Sequence, residues 1–467
     1  MAEKYDIAIL GGGPGGYVAA IRAAQLGAKV ACIEEDKLGG ICLNWGCIPT
    51  KTFIASAHLY RKIKEAAEFG IDIPGEPQIN IARMVERKNK VVNELVAGIG
   101  FLFKSYDIKL YNGFGSFESK TRIAVDLQDG STQIVEADKI IIATGSRPMN
   151  IPAFAFNGNT IISSDELIYP KSIPQSMTII GGGVIGSEFA CLLAQLGTKI
   201  NVVEMLPNLL PLEDIDTSKT IERELKKQGA EIFTGEKVLS VQDSGGGVVC
   251  KLQSGKELTS EKVLVAIGRS FNTEDINIET AGVELNKNGS IKVNDKMETS
   301  VKGIYAIGDC AGVALLAYTA SHEGTVAVAN ALGKSQKVDY RAVPITIFTD
   351  PEVGSVGMSQ QKAEAEGHEV RIGQFQFRNL GKSKAERDLV GGVKIIADKK
   401  TDKILGGHIV GAHATDLIHE VTLAISQKMT AAELGNVLHA HPVLSEAIME
   451  SAHDVHGMCV HNPKKAK

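Results

Sequence analysis

Two cysteines, Cys42 and Cys47, stand five positions apart, with four residues between them, in the stretch GGICLNWGCIPTK. A pair this close can make and break a disulfide, or supply half of a metal site. Residues five apart on an ideal helix do not face one another, so bridging requires a bent or irregular helix start. Gly46 can relax that geometry, and Pro49 suits a first helical turn. A helix N-terminus beside the pair lowers a cysteine pKa and favours the thiolate. Structural zinc needs four converging ligands, whereas the other cysteines are scattered, so no metal is expected. Cys32, Cys191 and Cys250 lie in apolar patterns and read as buried thiols. Cys310 follows an aspartate, and Cys459 is close to the C-terminus. At the far end of the chain, residues 439–446 read HAHPVLSE. His441 precedes Pro442, which biases it away from helix. Glu446 opens the helical pattern that follows and can orient the imidazole. A histidine with a carboxylate is a suitable base, and later acid, for a thiol. Spacing alone does not bring His441 to Cys42, and a polar loop or structural histidine is the plainer reading from composition. His439 is a weaker candidate, while His453 and His456 read as helix-face residues.

The elements around these residues read as nucleotide cradles. A buried strand, YDIAIL, runs into GGGPGG at 11–16, then into a small-residue helix and a second strand, KVACIE, ending at Glu34. Gly11 permits the tight turn, Gly13 lets the backbone approach a pyrophosphate, and Gly16 lets helix and strand pack closely. The helix N-terminus offers amide donors to the phosphates. Glu34 is placed to accept from an adenosine ribose, with Glu35 and Asp36 expected to face solvent. The pattern restarts at MTIIGGG. Gly181, Gly183 and Gly186 repeat the glycine positions, and KINVVE ends at Glu204. An acidic residue there accepts from a free 2′-hydroxyl and repels a 2′-phosphate, and EMLPNLLPLEDID contains no arginine cluster, so NAD is favoured over NADP. One cradle feeding directly into a dithiol, and a second holding a nicotinamide nucleotide, describe an electron relay from a thiol substrate through a flavin.

A chain of 467 residues with 44% hydrophobic residues forms several domains. The fold class expected is α/β: two Rossmann-like dinucleotide-binding domains plus an α+β C-terminal domain. The expected divisions are 1–147 and 148–268, around the two cradles, 269–339, a central segment, and 340–467, a separate C-terminal domain. A helical region is expected over 52–106 and hairpins over 108–137, before the strand DKIIIAT. The segment from 340 reads as strands of a mixed or antiparallel sheet, with helices at 359–366, 413–428, 430–438 and 444–455. The net charge of −5 is mixed in sign, and the short basic tail NPKKAK reads as a solvated end, so no nucleic-acid partner is expected. Seven cysteines make no disulfide scaffold. The start, MAEKYDIAIL, is no signal or transit peptide, and no apolar run of about 20 residues spans a membrane. A soluble cytoplasmic protein is expected.

GGICLNWGCIPTK, the duplicated cradles and HAHPVLSE together resemble the dimeric flavoprotein disulfide reductases, or pyridine nucleotide-disulfide oxidoreductases. HAHPVLSE and FTDPE at 348–352 favour the branch that oxidises dihydrolipoamide. The resemblance covers essentially the whole chain. It makes 1–147 the first part of the FAD-binding domain, 148–268 the NAD-binding domain, 269–339 the segment completing the FAD region, and 340–467 the dimer-interface, or dimerisation, domain. It implies tight non-covalent FAD, NAD as co-substrate, and a homodimer. The implied partner is a lipoyl domain of a 2-oxo acid dehydrogenase complex, or the lipoyl protein of glycine cleavage. It implies Cys42 as the exchange sulfur and Cys47 as the sulfur against the flavin. His441 then acts from the other subunit, with Glu446 orienting it. Lys51 matches the lysine near the flavin, and Glu188 its carboxylate partner. Asp309 matches the carboxylate at the ribityl region, and Thr144 and Gly145 a segment near the dinucleotide. Gly268 and Arg269 fall in the second cradle's segment. Two positions depart from the pattern: Phe271 replaces a proline-containing run, and Tyr318 stands where many such enzymes have histidine. Neither implies a changed substrate.

Overall fold

The computed structural model describes residues 3–463. Residues 464–467 of the basic tail, and the first two residues of the chain, lie outside them. The first sheet places strand Lys4–Leu10 between Val30–Glu34 and Thr132–Ile142, all parallel, with Ile304–Ala306 beside the last. Lys109–Ser119 adds to the other edge. The strand expected at 138–144 is the second half of one long strand, Thr132–Ile142. Its first half pairs antiparallel with Arg122–Leu127, and its second half pairs parallel with Lys4–Leu10. The hairpin segment and the parallel sheet are therefore continuous. Residues such as Ile7, Ile9, Ile140 and Ile141 are buried, as strands covered on both faces require.

The architecture is repeated. Strands Glu231–Thr234, Lys199–Glu204, Ser176–Ile180, Lys262–Val265 and Ile161–Ile162 form a parallel sheet in that order. A three-stranded antiparallel sheet, Val238–Asp243, Val248–Leu252 and Glu257–Ser260, follows the pattern of the first hairpin segment. A short ribbon, Ser146–Pro148 against Arg269–Phe271, joins the two halves. The last domain is a five-stranded sheet, antiparallel throughout, in which Pro344–Ile347 is an edge strand. Its helices are Gln360–Ala365, Gly381–Glu386, Ala414–Ser426, Ala431–Gly435 and Glu446–Asp454. The cysteines Cys32, Cys191, Cys250 and Cys310 are buried.

The helix Cys47–Lys64 ties these parts together. Its Phe53, Ile54 and Ala57 share one core with Ile179, Phe189 and Leu192 of the second parallel unit and with Ile347, Val353 and Val410 of the last domain. A buried ion pair adds to the docking. Lys394 donates to Asp214 at 2.9 Å and to Asp216 at 2.8 Å, and Asp214 is fully buried. Burial pushes the Asp214 carboxyl up, but Lys394 and the backbone amide of Gln360 outweigh it and hold it below the usual range. This contribution is therefore present above the ordinary carboxylate pKa and lost as pH falls through the lowered native one. Lys394→Met strands the Asp214 charge and should destabilise the protein by about 3–5 kcal/mol. Urea titration measures this, and an unchanged midpoint would refute it.

Candidate active site

The helix break that a C-x4-C pair requires is present. Gly40–Asn44 forms a short helix, Trp45 and Gly46 leave helical geometry, and Cys47 opens the next helix. Cys42 and Cys47 are free thiols joined by a hydrogen bond. Cys42 keeps its proton, its pKa raised first by that bond and then by burial. Cys47 is drawn down to about 7: the bond from Cys42 lowers it most, burial opposes, and the Lys51 ammonium lowers it further. Lys51, one helical turn on from Cys47, contacts both Glu188 oxygens at 3.0 and 2.8 Å. Glu188 is buried in the helix Val184–Gln195 and also accepts from the Phe348 amide at 3.0 Å. Lys51 lies 4.6 Å from the centroid of the Phe348 ring. One Glu188 carboxylate thus binds the dithiol helix to both other domains. Phe348 was legible only as the first residue of FTDPE; nothing in the sequence placed it against Lys51 and Glu188.

Both glycine cradles are built alike. A Cβ on Gly16 would meet Gly11 O at 1.9 Å, and one on Gly186 would meet Gly181 O at 1.9 Å. Gly11 and Gly181 each have φ +107°. At these four positions protein backbone excludes a side chain or the dihedral disfavours one. Gly13 and Gly183 differ. A Cβ at Gly183 would meet nothing within 4 Å, and one at Gly13 only Gly40 at 3.8 Å. The open space there fits the approach of a ligand's phosphates to the backbone, so the residues fit dinucleotides. Glu34 and Glu204 end their strands as expected, but their oxygens already accept backbone amides. Gly12 and Asp36 donate to Glu34 at 2.6 and 2.9 Å, and Gly182 and Leu206 donate to Glu204 at 2.6 and 2.8 Å. Each carboxylate first clamps its own turn and keeps further lone pairs open to another donor.

Thr144, Gly145 and Asp309 come together at the ribbon. Asn272 donates its side-chain amide to Thr144 O at 3.0 Å and its backbone amide to Gly145 O at 3.1 Å. Ser146 donates to Asp309 at 2.5 Å, and Arg269 donates to Ser146 Oγ at 2.6 Å. Arg269, read in sequence as part of the second cradle, thus engages the first cradle's cluster, because the ribbon folds it back. Gly268 sits beside it with φ +132°. Ser146 had no sequence signal.

Behind the dithiol, Trp45 packs edge-on to Tyr169 at 5.7 Å and donates to Asp36 at 3.2 Å. Asp36 is thus exposed as expected, yet it also anchors the redox loop. Lys88 is fully buried, with Nζ 3.5 Å from the Tyr169 ring centroid and no hydrogen-bond partner among the described residues. Burial pulls its pKa down to about 8. An unpaired buried ammonium costs more than a cation–π contact returns. Lys88→Met should therefore stabilise the fold by about 2 kcal/mol, read as a higher thermal midpoint. A lower midpoint would refute this.

His441 Nδ1 and Glu446 Oε1 are 2.9 Å apart, and Glu446 also accepts from the Val443 amide at 3.0 Å. Burial raises the Glu446 carboxyl, but these partners outweigh it and hold it low. The His441 side chain is 75% exposed. Among the described residues of one chain, no hydrogen bond or ion pair joins it to Cys42 or Cys47. His439 is committed elsewhere, to Glu420 and the Val437 carbonyl, both at 2.9 Å.

Residues 5–324 match the family model of the pyridine nucleotide-disulphide oxidoreductases, and residues 343–452 match that family's dimerisation domain. The chain belongs to this family. Within it, the chain falls among the dihydrolipoyl dehydrogenases. A dihydrolipoyl dehydrogenase of Bacillus subtilis is 42% identical over 475 residues, spanning 99% of this chain and 100% of the relative. A leghemoglobin reductase of Glycine max is 39% identical over 97% of this chain and 87% of its own length. The crystal structure of LpdA from Mycobacterium tuberculosis superposes with a TM-score of 0.90 at 30% identity, covering 96% of this chain and 99% of that one. As a member of the dihydrolipoyl dehydrogenase family, the protein is an FAD- and NAD-dependent oxidoreductase acting on a dithiol. The matched dimerisation domain supports a homodimer. Among the described residues no helix is long and apolar enough to cross a membrane.

Proposed function

We propose that the protein oxidises protein-bound dihydrolipoyllysine to lipoyllysine, with NAD as acceptor, through reversible opening of a Cys42–Cys47 disulfide. The observation that carries this reading is the pair of free thiols flanking a helix break, with Cys47 opening the helix whose Lys51 pairs with Glu188 at 2.8 Å. A substrate thiolate attacks Cys42 Sγ, the Cys42–Cys47 bond breaks, and Cys47 leaves as a thiolate stabilised by Lys51. The second substrate sulfur then attacks the one bound to Cys42, closing the lipoyl disulfide and releasing Cys42. The partner's His441 takes a substrate proton, held in orientation by the partner's Glu446. FAD, when bound, supplies the two-electron carriage between this dithiol and NAD. Gly11, Gly13, Gly16, Glu34, Thr144, Gly145 and Asp309 hold FAD, with Arg269 bracing Asp309 through Ser146 and Gly268 shaping the ribbon. Gly181, Gly183, Gly186 and Glu204 hold NAD. The working divisions are 1–147, 148–268, 269–339 and 340–467. The partner is a lipoyl domain of a 2-oxo acid dehydrogenase complex or of glycine cleavage, and the location is the cytoplasm.

The test is anaerobic absorbance of the FAD-loaded protein after stoichiometric dihydrolipoamide, then NAD. A long-wavelength thiolate–flavin band that decays as NADH appears is the expected result. No substrate-dependent change would overturn the reading. Strong NADH-dependent turnover of glutathione disulfide or mercuric ion instead would reassign the substrate.

A further inference from the structure

Strand Pro344–Ile347 lies at the edge of the last sheet and pairs on one side only, with Val353–Gly357. An edge leaves backbone groups to be satisfied by something other than a strand. Here two groups from the other domains meet it. At its start, the Tyr318 hydroxyl donates to the Pro344 carbonyl. Just past its end, the Phe348 amide donates to Glu188 at 3.0 Å. Pro344 and Phe348 are about 13 Å apart along an extended strand. Phe348 also lies under the Lys51 ammonium, which pairs with Glu188. Tyr318 sits in the first turn of helix Ala317–Ala331. Its pKa is raised to about 12, first by burial and then by the charge of Cys47, which places the phenol within electrostatic reach of that sulfur.

We propose that Tyr318 is a positioning residue for Cys47: its hydroxyl fixes one end of the edge strand, and through that strand holds Phe348, Glu188 and Lys51 in register with the dithiol. The inference rests on the dithiol reading above and adds a residue to it. If the hydroxyl is removed, the strand is anchored at one end only. The Phe348 ring and the Glu188 contact then loosen, Lys51 moves away from Cys47, and the thiolate is less favoured. Phenylalanine at 318 keeps the ring and deletes only the bond to Pro344, so it separates this role from packing.

The test uses the FAD-loaded Cys42→Ser protein, in which Cys47 is the only thiol of the pair. Its long-wavelength thiolate–flavin absorbance is titrated against pH. Adding Tyr318→Phe should move the half-point upward and weaken the band at pH 7 by about twofold or more. Adding Tyr318→Phe to a Lys51→Met, Cys42→Ser protein should produce no further shift, because the two changes act through one network. An unchanged titration in Tyr318→Phe overturns the proposal. So does a shift confined to Tyr318→Ala, which would assign the effect to ring packing. A Tyr318→Phe shift that persists undiminished with Lys51→Met overturns the route through the strand. Absence of the band in every variant overturns the dithiol reading, and the positioning role with it.

Discussion

Cys42→Ser and Cys47→Ser should each lower dihydrolipoamide oxidation by NAD by about 10⁴-fold or more, because the reaction has no second sulfur to close the exchange. The two variants should differ in what remains. Cys42→Ser retains Cys47 beside Lys51, with a hydroxyl in place of the thiol that donated to it. Its thiolate should still be favoured by that hydroxyl and by Lys51 against burial, and should be lost as the solution is acidified through its lowered pKa. The sign follows from the lowered pKa: the anion is present above that value and protonated below it. Cys47→Ser should show no thiolate–flavin band near neutrality, since it removes the sulfur proposed to lie against the flavin, and burial still pushes up the pKa of the remaining thiol. Absorbance titration of both variants measures this. Equal bands in the two would show that the sulfurs have no division of labour.

The second large effect concerns His441. His441→Gln keeps a polar side chain but cannot take the proton, and should cost about 10²–10⁴-fold in turnover. Its decisive form is a mixture of subunits. The imidazole is exposed and, within its own chain, forms no bond to the dithiol. If it acts across the interface, a hybrid of one Cys42→Ser subunit and one His441→Gln subunit contains one intact site. Random reassociation of the two inactive proteins should then restore about a quarter of normal activity. If His441 served its own chain, every hybrid site would lack one group. No recovery from hybrids verified by mass would refute the cross-subunit role.

Much of this was readable in one dimension, for local reasons. A phosphate cradle is a strand, a few glycines and a helix within thirty residues, and each glycine answers a steric demand set by its neighbours. The break between Cys42 and Cys47 follows from helix periodicity alone. The His441–Glu446 bond likewise joins residues five apart, and neither needs a distant partner. Features built by long-range folding were not readable. Thr132–Ile142 looked like a hairpin and a separate strand because its burial pattern changes where its neighbours change. The contact of Arg269 with Ser146 was not readable, because a ribbon of three residues reverses it onto that serine.

By itself, then, the sequence determined which chemistry is available: two dinucleotide cradles, one dithiol across a helix break, and one carboxylate-oriented histidine. Those depend on contacts within a few turns of chain. What surrounds the sulfurs depends instead on how the domains dock. Lys51 and Glu188 are 137 residues apart, and Phe348 another 160 beyond Glu188. Their meeting holds the Lys51 ammonium that, after the Cys42 bond, helps Cys47 lose its proton. Periodicity reports which face of an element is buried, whereas the identity of the group packed against that face depends on how whole domains dock.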